Sequence, residues 1–176
     1  MRLYFATLLF FLLLSPFQTI AESLLQRFPP VQGKLDFIQS KQIQGLPVPL
    51  VSQGYLLLQQ DDLLWHTTSP LESKLLISAA GVSEWQQEQY VAVVGSEFVG
   101  QLMLAVLQQQ ESFITGHFAI SAAEADCLLL SPLQAPLTSL FRQITLCGDT
   151  SLQQIRLEET NGNTTDIRLR QDSTVE

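Results

Sequence analysis

The chain has 176 residues, 46% of them hydrophobic and 15% charged, with nine Lys or Arg against seventeen Asp or Glu and a formal net charge of −8. That balance argues against nucleic acid as a partner and against docking on anionic lipid through a basic face. Two histidines and two cysteines leave few ways to assemble a catalytic or metal centre.

Met1-Arg2 is followed by LYFATLLFFLLLSPF and by Thr19-Ile20-Ala21. One positive charge, an apolar run from Leu8 to Leu14, the helix-breaking Pro16 and the small Ala21 are the parts of a secretory signal peptide, with cleavage expected after Ala21. The run is short for a bilayer span, which needs about 20 apolar residues; a retained anchor is the alternative. No cysteine precedes Cys127, so a lipid-modified cysteine is not available at the mature N-terminus. Cleavage removes one basic residue and no acidic one, taking the charge from −8 to −9. Residues 22–176 then form a single exported domain, expected in the periplasm. A chain of that length can bury roughly two-thirds of its unfolded surface.

AESLLQRF is a short amphipathic helical stretch, ended by Pro29-Pro30. GKLDFIQSKQI alternates, with Leu35, Phe37 and Gln39 on one side of a strand and Asp36, Ile38 and Ser40 on the other. The prolines of IQGLPVPL follow, then the strand SQGYLLLQQ, a turn at Asp61-Asp62, and the returning strand LLWHTT. SKLLISAAG is another strand, and Gly81 turns into VSEWQQEQYVAV. Between Val99 and Gln110 the period changes: Val99, Leu102, Met103, Val106 and Leu107 recur at helical spacing, giving an amphipathic helix of about three turns. SFITGHFAIS, ADCLLLSP, LFRQITLCG, SLQQIRLEE and TTDIRLRQ return to strands. PLTSLF is a short helical turn, and Asn161-Gly162 is a strong hairpin signal. Nine to eleven strands and two or three helices result. This is an α+β, mainly β, order, in which one curved antiparallel sheet carries helices against one face. Cys127 and Cys147 fall opposite each other if their strands pair, and a cross-strand disulfide is expected in an oxidising compartment. Two buried thiols are the alternative.

Chemistry is hard to assemble from this inventory. Ser52, His66 and Asp61 could be grouped as a triad on paper, but no G-x-S-x-G elbow exists, and His66 is better read as an outward polar residue beside Trp65. The histidines are far apart and no H-x-x-x-H or C-x-x-C occurs, so no metal is expected. Asp61-Asp62 and Glu158-Glu159 are adjacent pairs whose side chains diverge on strands, so neither converges on one substrate. No phosphate loop is present, and no cofactor is implied.

The order FIQSKQIQGLPVPLVSQGYLLL, LLWHTTSPLESKLLIS and GVSEW, with LFRQITLCGD and IRLEETNGNTTDIRL towards the C-terminus, resembles the LolA-type periplasmic carrier family. It is most similar to the LolA-like branch associated with aryl-polyene and fatty-acid biosynthesis loci. The shared pieces are an F-x-Q-x-K strand, a G-L-P-x-P-L linker, S-x-G-x-L, a Leu-Trp strand followed by T-x-x-P, and a G-V turn. The resemblance implies an unclosed β-barrel whose concave apolar side is capped by helices and holds acyl chains of a lipid or lipoprotein. It also implies a monomer, served by an inner-membrane donor and an outer-membrane acceptor. Gly45 to Leu50, with Leu46, Pro47 and Pro49, would form a rim loop, since prolines cannot donate ladder hydrogen bonds. Tyr55, Leu57, Leu64, Trp65, Leu75 and Ile77 from strands, and Leu102, Met103, Val106 and Leu107 from a lid helix, would line the cavity; an ordinary dry core is the plainer alternative. In lipoprotein carriers proper an important arginine follows the G-x-L strand. Gln59-Gln60-Asp61-Asp62 stands there instead, which leaves the head group and the handover partner open: lipoprotein acyl chains, or a free lipid or polyene precursor. A chaperone-like module that binds proteins by a sheet edge is the main rival, and an esterase or thioesterase a weaker one.

Overall fold

The computed structural model describes residues 24–124 and 126–171. The signal peptide and its cleavage point lie outside the described residues. Eleven strands make one antiparallel sheet: β1 (Gly33–Gln42), β2 (Leu50–Gln59), β3 (Asp62–Ser69), β4 (Ser73–Ser78), β5 (Gly81–Gln86), β6 (Gln89–Ala92), β7 (Phe118–Ala123), β8 (Cys127–Pro132), β9 (Phe141–Cys147), β10 (Gln154–Glu159) and β11 (Thr164–Gln171). Three helices lie wholly within the described residues: α1 (Glu97–Gln108), α2 (Glu111–His117) and α3 (Leu137–Leu140). The order across the sheet is β6-β5-β4-β3-β2-β1-β11-β10-β9-β8-β7. Each half is a meander, and β1 joins the halves by pairing with β11.

Three local expectations are corrected. The β2–β3 turn is Gln60-Asp61 rather than Asp61-Asp62, because Gln59 pairs with Asp62 and Gln60 takes a φ of 53°. VSEWQQEQYVAV is a hairpin, turned at Gln87 and Glu88, both in the left-handed region. No glycine or asparagine marks that turn, so the usual signal was missing. Ser112 to His117, expected as the start of a strand, lie in helix α2. Ile114 of that helix is fully buried and Phe113 packs on the core, and such tertiary burial overrides the β preference of an aromatic and β-branched run.

The sheet is strongly curved. From β5 to β7 there are nine strand spacings, which laid flat would span roughly 43 Å at about 4.8 Å each. Yet α1 packs on β4 and β5 and touches α2, which runs directly into β7. Twelve and seven helical residues reach only about 18 and about 10 Å. The two flanks must therefore bend towards each other around the helices. No ladder joins β6 to β7, so the barrel stays open.

Alternation assigns the faces. Leu35 and Phe37 of β1 are buried while Asp36 and Ile38 are exposed, as their spacing predicts. The inner face and the helices share a single apolar cluster, joined by Leu25 and Phe28 of the N-terminal segment.

Candidate functional site

The inner face is built of cross-strand rows. Leu35, Leu56, Trp65 and Leu75 follow one another across β1 to β4, and Leu58, Leu63, Ile77 and Val82 form the next row. On the other half Ile167, Ile155, Leu146 and Leu128 make a matching row. Above them α1 buries Leu102, Leu104, Ala105, Val106 and Leu107.

Of the residues named from the sequence, Trp65, Leu75, Ile77, Leu102, Met103, Val106 and Leu107 all belong to this cluster. Tyr55, Leu57 and Leu64 do not, and their assignment to the lining is corrected. Their neighbours Leu56, Leu63 and Trp65 point inward, so alternation turns these three outward. Leu57 and Leu64 meet Leu76, Gln59, Gln60 and Asp62 in a shallow outer depression, and the Tyr55 ring stands edge-on to His66. The reason is legible afterwards: Leu56-Leu57-Leu58 has no alternation, and a one-residue error of register exchanges faces. Reasoning from sequence also missed Phe37, Leu56 and Leu63, and the whole contribution of β8 to β11. The alternating LFRQITLC and TTDIRLRQ carried that signal.

Close backbone contact seats α1. A Cβ on Gly100 would lie 2.9 Å from the Ser78 carbonyl oxygen and 3.0 Å from the Gly81 backbone, so only glycine lets the helix settle onto the β4–β5 turn. Ser96, just before the helix and nearly buried, accepts a hydrogen bond from the Val82 N–H (2.8 Å) and donates to the Val93 carbonyl (2.6 Å). At the far end the Val31 N–H donates to the Leu107 carbonyl. Beside it a cleft of about 840 Å³ opens between Pro29, Pro30 and Val31, the strand residues Leu35 and Leu169, and Leu152 of the connection between β9 and β10.

Towards the other end of the strands the inner rows turn polar. Past Phe37, β1 places Gln39 and Lys41, opposite Ser52 and Leu50 of β2. The Lys41 ammonium donates to Glu159 Oε1 at 2.9 Å. Asn161 and Asn163 donate their side-chain amides to Glu159 Oε2 at 3.0 and 3.3 Å. Burial acts to raise the Glu159 carboxyl, but the Lys41 hydrogen bond, the Asn161 amide, the Lys41 charge and the Asn163 amide together hold it below its ordinary value. The loop 43–49 borders this end, its Gln44 N–H bonded to Asn163 Oδ1. Leu46, Val48 and Leu50 are exposed there.

The outer face holds a separate polar group. His66 Nδ1 lies 2.8 Å from the Tyr55 hydroxyl and Nε2 lies 3.0 Å from Glu72 Oε1. The hydrogen bond with His66, then the hydrogen bond and charge of Lys74, hold the Glu72 carboxyl below its usual range. Ser52 faces inward and His66 outward, so the triad imagined from sequence is not brought together. Cys127 and Cys147 are bonded (S–S 2.07 Å) and pair directly across β8 and β9. Among the described residues no three His, Cys, Asp or Glu side chains cluster as a metal site would.

Comparison with solved structures gives the LolA superfamily protein NE2245 from Nitrosomonas europaea a TM-score of 0.51, at 9% identity over 86% of this chain and 91% of that one. LprF from Mycobacterium bovis aligns at 12% identity over 89% and 94%, with a TM-score of 0.38. The first likeness is one of fold. No curated protein matches the chain in sequence. The family model described as outer membrane lipoprotein carrier protein LolA matches residues 32–176, and the chain therefore belongs to the LolA family.

Proposed function

We propose that this protein is a periplasmic carrier that shelters acyl chains in the apolar interior and moves a lipid or lipoprotein from an inner-membrane donor to an outer-membrane acceptor, without catalysis. The observation that carries this reading is the way the interior is filled. A single amphipathic helix, α1, supplies Leu102, Val106 and Leu107 against Trp65, Leu75 and Ile77. An acyl chain presents the same surface chemistry as those helix side chains and can take their place on the sheet. Each CH₂ moved from water to such a site contributes about 0.8 kcal/mol. Lifting the helix exposes apolar area of its own, so the net preference for the cargo is modest, as transfer to a next acceptor requires. Ser96, Gly81 and Gly100 form the fixed end of that motion, and the Val31–Leu107 end is the one that lifts. The rim loop with Leu46, Pro47 and Pro49 borders the other, polar end of the trough, beside Lys41. The resemblance to the aryl-polyene and fatty-acid branch favours a lipid intermediate as cargo.

The test is native mass spectrometry of the protein purified from the periplasm, followed by organic extraction. The expected result is added mass that the extraction resolves into acyl or polyene species. A protein that is empty, and that takes up no fluorescent fatty acid, overturns the reading. One observation favours a second reading: all four residues of edge strand β6 are exposed, beside the Trp85–Tyr90 ring pair. That edge suits an added strand from a protein partner, and capture of such a partner by an empty protein would support it.

A further inference from the structure

The carrier reading says nothing about the polar end of the cargo, and on that reading the charges of the sheet become informative. Lys34, Lys74, Arg156, Arg168 and Arg170 all stand in outward rows, each one residue from an inward apolar neighbour or row. Arg142 sits at the irregularity between β9 and β10 and is exposed, its guanidinium 3.4 Å from the Thr160 carbonyl. Arg27 belongs to the N-terminal segment, where it pairs with Asp126. Among the described residues, Lys41 is the one cation in the inner rows of the sheet. It stands two positions beyond Gln39 and four beyond the buried Phe37, roughly 13 Å along the strand from that ring.

A cation turned towards the inside of a sheet costs stability unless it has a purpose or a partner. Here its partner is a carboxylate on Glu159 that is itself over-provided: Lys41 holds Oε1, while Asn161 and Asn163 hold Oε2. If Lys41 let go, Glu159 would keep two donors. Lys41 is more exposed than Glu159, with 36% against 18% of the side-chain surface accessible, so an incoming group reaches the lysine first.

We propose that Lys41 is the head-group site of the carrier, that the group it takes is the carboxylate of a fatty acid, and that Glu159 occupies its place in the empty protein. One ammonium with no second cation beside it matches a monoanion better than a phosphate dianion. The carboxylate already on Lys41 has the geometry the ligand would bring. The acyl chain then runs from Lys41 past Gln39 onto Phe37 and the Leu35–Trp65 row. Glu159 acts as an internal competitor, displaced at Oε1 and retained by its asparagines.

This rests on the carrier reading, and the experiment separates the two. Binding of palmitate and of hexadecanol, which shares the chain and lacks the charge, is measured by titration calorimetry at neutral pH on the mature chain and on Lys41→Met and Glu159→Gln. A charge-assisted hydrogen bond leads us to expect about a tenfold or greater loss of palmitate affinity in Lys41→Met. Glu159→Gln removes the competitor and should raise palmitate affinity several-fold. Hexadecanol affinity should stay unchanged in both. If the ion pair only ties strands together, the two variants shift both ligands in the same direction, which overturns the head-group site. Equal binding of both ligands, unmoved by Lys41→Met, overturns it too while leaving the carrier intact. If the unaltered protein binds neither ligand, the carrier reading itself falls. Thermal melts establish that each variant is folded, and Lys41→Gln serves where the methionine variant is not.

Discussion

The rings of Phe37 and Trp65 meet at a centroid separation of 4.9 Å and a tilt of 53°, although the strands that carry them, β1 and β3, are separated by β2. The intervening inner position opposite Phe37 is Gly54, which has no side chain to part them. Its backbone is also pressed against β3, where the ladder shifts register: a Cβ there would fall 1.9 Å from the His66 carbonyl oxygen. Gly54→Ala is therefore expected to destabilise the protein by about 1–3 kcal/mol or more, because the obstacle is backbone and cannot rotate aside. Chemical denaturation would show the loss, and an unchanged midpoint would refute the packing described.

Leu56 and Leu57 make a second test, since they are neighbours in the chain on opposite sides of the sheet. Leu56→Ala is expected to cost about 2–5 kcal/mol, the range for a leucine removed from a full core. Leu57→Trp should change stability little and leave uptake of a fluorescent fatty acid as it was. Blocked uptake in Leu57→Trp would mean that the outer face, not the inner one, receives the chain.

The disulfide closes a segment with a sequence separation of 20. Loop-closure arguments put its contribution at about 3 kcal/mol, so Cys127→Ser/Cys147→Ser should lower the denaturation midpoint accordingly. Its neighbours Leu128 and Leu146 are the inward ones, which places the bridge on the outer face. The folded double variant should bind acyl probes as the parent does, and weaker binding would show that the bridge shapes the interior.

Acid should loosen the Lys41 end first. The Glu159 carboxyl is held below its ordinary 4.5, so its contribution is complete above that value and is lost as pH falls through the depressed one. Melts of the parent and of Glu159→Gln, run from neutral to strongly acid pH, should differ at neutral pH and converge in acid. A gap that stays constant across the range would remove the ion pair from the account.

Much of this architecture is legible in the residues alone, and the failures have physical causes. Leu35 and Phe37 alternate with polar neighbours, and their strand and its facing follow directly. Asn161-Gly162 turns the last hairpin because Gly162 adopts a φ of 88° without strain. The cysteines pair because their strands do. Three consecutive leucines at 56–58, in contrast, carry no period, and their facing is decided only when Leu56 lands beside Leu35 and Trp65. Phe113 and Ile114 favour a strand locally and form a helix because the core takes them there. Lys41 is visible in the sequence as the end of an F-x-Q-x-K run. Its isolation as an inward cation needs the positions of all the other bases, which no local pattern contains.

The unpaired margins of the sheet bear on capacity. In a closed barrel the girth is fixed by strand number and stagger, and enlarging it means breaking a ladder. Here β6 and β7 share no hydrogen bonds, so the circumference is set only by side chains and by the helices spanning the gap. Spreading those margins sacrifices apolar contact by degrees and no backbone pairing. On the proposed carrier function, the vessel would be let out like a garment with an open seam, widening for a bulky cargo and drawing in around a slim one.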